Sequence, residues 1–199
     1  MCSLPQVQAI RDVLDGDACC VVVKETQLAA LLSSLGRTPD MVVTDSQAFA
    51  AVSKIVPEDI PLTSFSILMA RCKGFLEMAV RGASALRHLR DGDKVLISEG
   101  CTHHRQCNDI GTVKIPRLLA KKTGKSLVIE TSSGLGFPED LSPYALIIHC
   151  GGCMLSEREV RARQKCARDA GVPFTNYGTF LAVAGGILAR SIRCIPLGE

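Results

Sequence analysis

Short β-branched runs alternate with longer helical patterns along this chain, and this alternation limits its fold more than any other feature. In the second half, the runs 94–98, 127–130, 145–149 and 174–176 have the character of strands, and the segments 115–122, 157–170 and 180–192 have that of helices. Such alternation is typical of βαβ units and parallel sheets. We therefore predict an α/β fold of Rossmann-like, three-layer type.

The first half shows the same alternation, but the ends of its segments are less clearly marked. Segments 19–23, 41–44 and 62–67 are predicted to be extended, and 68–89 is predicted to be one long helix. The turn signal Asp91-Gly92-Asp93 follows that helix. We predict two small domains, residues 1–90 and 91–199, each with a parallel sheet flanked by helices.

Composition excludes several classes of protein. The 199 residues carry a formal net charge of +3, which is too small to indicate nucleic-acid binding. The longest apolar run, 180–189, is far shorter than the roughly 20 residues that span a bilayer, and the N-terminus has no signal-peptide pattern. We therefore expect a cytoplasmic protein that binds neither nucleic acid nor membrane.

Ten cysteines are an excess for a chain of this length, yet fewer than the roughly 8–10% of a disulfide scaffold. Free cysteine in helices and strands behaves as a small apolar residue. We expect that packing role for six of them: Cys2, Cys19, Cys20, Cys72, Cys166 and Cys194. The other four lie in two loops rich in glycine and histidine: Cys101, Cys107, Cys150 and Cys153.

These two loops directly follow predicted strands. If the strands are neighbours, their parallel carboxyl ends bring Cys101 close to Cys150 and Cys153. Gly151 and Gly152 let the backbone fold tightly and bring amide groups to sulfur. Thiolates select zinc, copper(I) or iron–sulfur clusters, and the nearby histidines supply further ligands: His103, His104 and His149. The pattern therefore predicts a metal site.

The same residues carry a resemblance to a known family. Cys101-x-His103, followed by His149-Cys150-x-x-Cys153, resembles the C-x-H…H-C-x-x-C cluster motif of HydF, the GTPase scaffold of [FeFe]-hydrogenase maturation. Further similar stretches are 99–104, 109–116, 137–141 and 171–178. Stretches 43–49 and 61–66 resemble the dimerisation domain of that family, so the resemblance covers nearly the whole chain.

The resemblance implies a [4Fe–4S] cluster held by Cys101, Cys150 and Cys153, with an exchangeable fourth position. His103 and His149 are candidates for that position, while His104, water or an acidic side chain would also serve. The implied role is binding and handover: a di-iron precursor built by radical maturation enzymes is carried to the apo-hydrogenase. A homodimer is implied as well, formed through the first domain.

The chain departs from the family in one respect. It contains no G-x-x-x-x-G-K-[ST] phosphate loop, so we assign no nucleotide binding and no GTP hydrolysis to these residues. We expect no catalytic residue in this chain, and expect it to be the C-terminal part of a longer protein or a shortened relative.

Two other functions fit the cysteine pattern. One is a thiol–disulfide oxidoreductase, because the chain order of a strand, then C-G-G-C, then a helix is typical of such a site. Cys150 and Cys153 would then be the redox pair. The second alternative is a protein with a structural Cys₃His zinc site. The role of Cys107 stays open between ligand, redox-sensitive thiol and packing.

Overall fold

A computed structural model describes residues 4–100 and 109–196. The helices, in chain order, are α1 (Leu4–Asp15), α2 (Leu28–Ser34), α3 (Phe49–Val52), α4 (Phe65–Cys72), α5 (Leu76–Ala83), α6 (Ile115–Thr123), α7 (Glu157–Asp169), α8 (Tyr177–Ala184) and α9 (Leu188–Ile192). The strands are β1 (Val42–Thr44), β2 (Leu62–Ser64), β3 (Lys94–Glu99), β4 (Val128–Ser133), β5 (Tyr144–His149) and β6 (Phe174–Asn176). Shorter helical turns cover Glu25–Gln27, Ser84–Arg87 and, in the π form, Ile110–Lys114.

Two parallel sheets confirm the predicted α/β class. The larger has the order β4-β3-β5-β6, and the smaller pairs β1 with β2. Side chains of β3 alternate between its two faces: Leu96 packs with α4, α5 and α7, whereas Val95 and Ile97 pack with α6 and α8. Because both faces are covered by helices, the larger sheet forms the middle of three layers.

The small sheet has its own core. Leu28, Phe49, Val52 and Leu62 bury their side chains there, and Ile187 reaches the same cluster from beyond α8. The larger sheet in turn draws on helices from the first half, since Ile67 of α4 and Ala79 of α5 share one cluster with β3 and β5. The predicted division at residues 90 and 91 stays a prediction, and the core of the small sheet meets the core of the larger sheet at Ile187.

The strand predicted over 19–23 is wrong. This segment pairs with no strand among the described residues, and Val21 and Val22 are 60% and 62% exposed. The sequence Cys19-Cys20-Val21-Val22-Val23 has strand propensity, but propensity does not supply a partner strand.

The helix predicted over 68–89 is interrupted. It ends as α4 before Gly74, whose φ of 73° lies in the left-handed region, and it resumes as α5 at Leu76. The helix predicted over 180–192 is divided in the same way at Gly186, where φ is also 73°. Glycine adopts this conformation without the steric cost that other residues bear.

The packing predicted for the isolated cysteines is wrong for most of them. Cys19, Cys20, Cys72 and Cys166 are exposed, and Cys194 is half-buried against the larger core. On α7 the buried positions are Val160, Arg163, Gln164 and Ala167, so Cys166 lies away from the core. Cys2 lies outside the described residues. No helix in the described part of the chain combines the length and the apolar character that a membrane span requires.

Candidate metal site at the ends of β3 and β5

The ends of β3 and β5 lie side by side, as the sequence predicts. Ser98 pairs with His149 in the parallel register, and the Cys150 amide donates to the Ser98 carbonyl oxygen at 2.8 Å. The C-G-G-C loop therefore starts next to Gly100, the residue that precedes Cys101. The strands β3 and β5, which lead into the two cysteine loops, end at one edge of the sheet, where open α/β folds bind their ligands.

Four of the predicted site residues lie outside the described residues: Cys101, His103, His104 and Cys107. Their approach to Cys150 and Cys153 stays a prediction. Within residues 4–100 and 109–196, no group of three or more His, Cys, Asp or Glu side chains is placed to hold a metal ion. Cys150 and Cys153 are both half-buried and free of disulfide bonds.

The sulfur of Cys150 accepts two backbone hydrogen bonds from the described residues. The amides of Gly100 and Gly152 lie 3.0 and 3.3 Å from Sγ. Gly152 reaches this position with φ of 64°, in the left-handed region that glycine adopts at little cost. Backbone N–H groups aimed at sulfur stabilise a thiolate, the form of cysteine that binds metal.

The loop is packed closely on the helices around it. A Cβ at Gly152 would lie 3.1 Å from Val160 Cγ2 of α7, and one at Gly100 would lie 2.6 Å from Leu155 Cγ. Gly151 faces Ser66 at the start of α4. The shape of the C-G-G-C loop is therefore set by neighbours from both halves of the chain.

His149 is fully buried, and both of its ring nitrogens have partners. Nε2 lies 3.2 Å from Nη1 of Arg163, and Nδ1 lies 2.7 Å from the Cys150 carbonyl oxygen. Since a guanidinium only donates, Nε2 accepts and Nδ1–H donates to the carbonyl. The ring also stacks on Phe174 with centroids 5.5 Å apart. Burial lowers the pKa of His149 to about 4, and the nearby Arg163 charge contributes to this, against the raising effect of the bond to Cys150.

A second buried polar pair lies beside the loop. The hydroxyl of Tyr177, at the start of α8, is 3.3 Å from Oε1 of Glu99, the last residue of β3. Burial, and next the negative charge of Glu99, raise the pKa of Tyr177. A Cβ at Gly111 would lie 2.4 Å from both side chains, so glycine there makes room for the pair. Tyr177 therefore stays protonated and donates to the carboxylate.

Sequence reasoning missed Arg163, Glu99, Tyr177 and Ser66. Arg163 lies in the highly charged helix α7, whose sequence is typical of a solvent-exposed helix. A signal was nevertheless available, because Arg163 follows the buried Val160 by three residues and precedes the buried Ala167 by four. Positions three and four apart share one helix face.

The described donors suit a soft metal or an iron–sulfur cluster. Cys150 and Cys153 supply two thiols, the Gly100 and Gly152 amides point at one of them, and the next residue after Gly100 is Cys101. N–H···S hydrogen bonds are among the protein contacts that tune iron–sulfur clusters. The residues present therefore fit the group that the sequence motif implies.

Comparisons with known proteins agree with the motif. Residues 77–194 match the hydrogen maturase F tetramerization domain, and residues 2–74 match the hydrogen maturase F dimerization domain. A search of curated proteins found no match. Since the two matches together cover nearly all of the sequence, the chain belongs to the hydrogen maturase F (HydF) family.

Proposed function

We propose that this chain is an iron–sulfur scaffold for [FeFe]-hydrogenase maturation, with a [4Fe–4S] cluster held by Cys101, Cys150 and Cys153. The observation that carries the proposal is the pair of backbone amides on Cys150 Sγ, at a strand end that adjoins the start of the Cys101 loop. Membership of the HydF family supports it. The fourth position stays open to an exchangeable ligand: His103, His149, His104, water or a carboxylate.

The residues of this chain would act by binding and by excluding competing ligands. The Gly100 and Gly152 amides hold the Cys150 thiolate, and the close contact of Gly100 with Leu155 closes one side of the loop. When bound, a cluster with one iron lacking a thiolate supplies a coordination position that an incoming group can occupy and leave. The cargo in this proposal is a di-iron precursor, received from radical maturation enzymes and delivered to the apo-hydrogenase in the cytoplasm.

A homodimer is the second part of the proposal. Several large apolar side chains in the first 41 residues are between 37% and 62% exposed: Val7, Leu14, Val21, Val22, Val23 and Met41. A contiguous exposed apolar segment such as Val21–Val23 is typical of an interaction surface. Since residues 2–74 match a dimerization domain, we assign this surface to contact with a second copy of the chain.

Anaerobic purification and reconstitution test the cluster. We expect about four iron and four sulfide per chain, with a visible absorbance band that Cys150→Ser abolishes. The exposed Cys166, replaced by serine, is the matched control and should leave iron content unchanged. Stoichiometric zinc instead of iron would favour the structural zinc site, and a colourless protein that reduces disulfides would favour the oxidoreductase. Either result would overturn the scaffold proposal.

A further inference from the structure

We propose that Arg163 is a positioning residue of the cluster site, which acts through the ring of His149 on the backbone of Cys150. The proposal rests on the proposed function, because it concerns the same loop. It assigns His149 to holding that loop and leaves the fourth iron position to another group.

The guanidinium of Arg163 is itself fixed. Its side chain is 2% exposed, its Nε donates to Glu159 Oε1 at 2.8 Å, and its Cζ lies 5.0 Å from the ring centroid of Phe137. A buried arginine held on two sides cannot swing to other acceptors. Its remaining N–H groups are therefore available for a structural role at a defined place.

Those N–H groups reach the ends of three neighbouring strands. Nη2 donates to the Gly134 carbonyl, just after β4, at 2.6 Å. Nη1 contacts Ser98 Oγ of β3 at 3.5 Å and His149 Nε2 of β5 at 3.2 Å. The chain segments that carry Cys101 and Cys150 leave from β3 and β5, so one side chain ties together the two strand ends that lead into the cysteine loops.

His149 passes this restraint to the Cys150 loop. With Nε2 held as an acceptor by Arg163, the proton resides on Nδ1, which donates to the Cys150 carbonyl at 2.7 Å. That carbonyl belongs to a proposed ligand, whose sulfur accepts the Gly152 amide two residues on. In this arrangement Nδ1 carries a proton and the Nε2 lone pair faces the guanidinium, so neither nitrogen is free to bind iron.

The first test measures the tautomer of His149 in the metal-free full chain. Two-bond ¹⁵N–¹H spectra of ¹⁵N-histidine protein distinguish Nδ1–H from Nε2–H, and His149→Gln assigns the signal among the four histidines. We expect Nδ1–H in the wild type and a mixture or Nε2–H in Arg163→Met. Arg163→Leu also removes the donor to Nε2 and provides a second variant if methionine prevents folding. An unchanged Nδ1–H signal in both variants would overturn the proposal.

The second test measures cluster retention against a matched buried arginine. Arg190 is also buried and bonded to backbone carbonyls, but it contacts the loop at residues 53–60 instead of the cysteine loops. In reconstituted protein we expect Arg163→Met to lose iron to a chelator about tenfold faster than Arg190→Met, as for loss of a group that orients a metal ligand. The EPR signal of the reduced cluster should change only in the Arg163 variant.

A double variant shows whether Arg163 acts through His149. If it does, Arg163→Met adds little to the faster iron loss that His149→Gln already causes, so the two effects are not additive. Equal iron loss in the Arg163 and Arg190 single variants would overturn the proposal. A wild-type chain that takes up no iron would instead refute the proposed function. The tautomer measurement on the metal-free protein would still decide whether Arg163 acts through the ring of His149.

Discussion

Gly82 of α5 lies directly against the backbone of Phe174 in β6, and a Cβ at residue 82 would stand 2.1 Å from the Phe174 carbonyl oxygen. Phe174 in turn stacks on His149, so this close approach supports the sheet next to the candidate site. Helix α5 comes from the half of the chain before Asp91. The contact therefore joins the two halves through backbone atoms of Phe174, which cannot move aside as a flexible side chain can.

Replacing Gly82 with alanine tests this contact. We expect Gly82→Ala to lower the free energy of unfolding by about 2–3 kcal/mol, because the methyl group forces the helix away from the strand. Urea denaturation of the metal-free protein measures the loss. The matched control is Gly36→Ala, where nothing lies within 4 Å of the added Cβ. A Gly82→Ala chain as stable as the Gly36→Ala chain would show that α5 shifts freely.

Arg190 of α9 makes a second connection between the halves. Its guanidinium donates to the carbonyl oxygens of Ser53 at 3.1 Å and Val56 at 2.8 Å, and it pairs with Glu58 at 3.3 Å. Arg190→Met leaves these buried carbonyls without their donors, so we expect a loss of about 3 kcal/mol in unfolding free energy. Chemical denaturation provides the measurement.

The exposed neighbour Arg193 is the control for Arg190. It donates to the Glu58 carbonyl at 2.9 Å, but water can replace it there. Arg193→Met should therefore change stability by less than about 0.5 kcal/mol. Equal losses in the two variants would mean that burial of the Arg190 guanidinium contributes nothing.

The proposed dimer predicts a loss of self-association when a charge is placed in its apolar surface. Val22 is 62% exposed, so Val22→Asp should fold normally and weaken the dimer at least about tenfold, because an unpaired carboxylate is costly to bury. Light scattering across a concentration series measures the change. Leu135→Asp, at a site 86% exposed in the second half, should leave the mass unchanged. A Val22→Asp chain with wild-type mass would place the interface elsewhere.

The sequence predicts the neighbourhood of the cysteine loop well because the information is local. Residues 94–98 and 145–149 are strand-forming runs, followed by Glu99-Gly100 and by Cys150, and their parallel pairing follows from the alternation with helices. The failures have a different physical origin. Segment 19–23 needs a partner strand that propensity cannot supply, and Gly74 breaks a helix whose apolar pattern continues through it.

Arg163 shows why part of the site could not be read from the sequence. Its partners Ser98, Gly134 and His149 are 65, 29 and 14 residues away. Only the strand order β4-β3-β5 brings them to one point. A local pattern can place Arg163 on the buried face of α7, but it cannot name what the guanidinium meets there.

The burial of His149 predicts that the free energy of unfolding of the metal-free protein falls in acid. Its pKa is about 4 when folded and 6.5 when unfolded, so between these values the unfolded chain takes up a proton that the folded chain refuses. Stability is therefore full above pH 6.5 and falls by about 3 kcal/mol as the pH drops to 4. Urea denaturation at stepped pH should show a shallower fall in His149→Gln, whereas replacing the exposed His88 with glutamine should keep the wild-type slope. Identical slopes in wild type and His149→Gln would contradict the burial of a neutral imidazole.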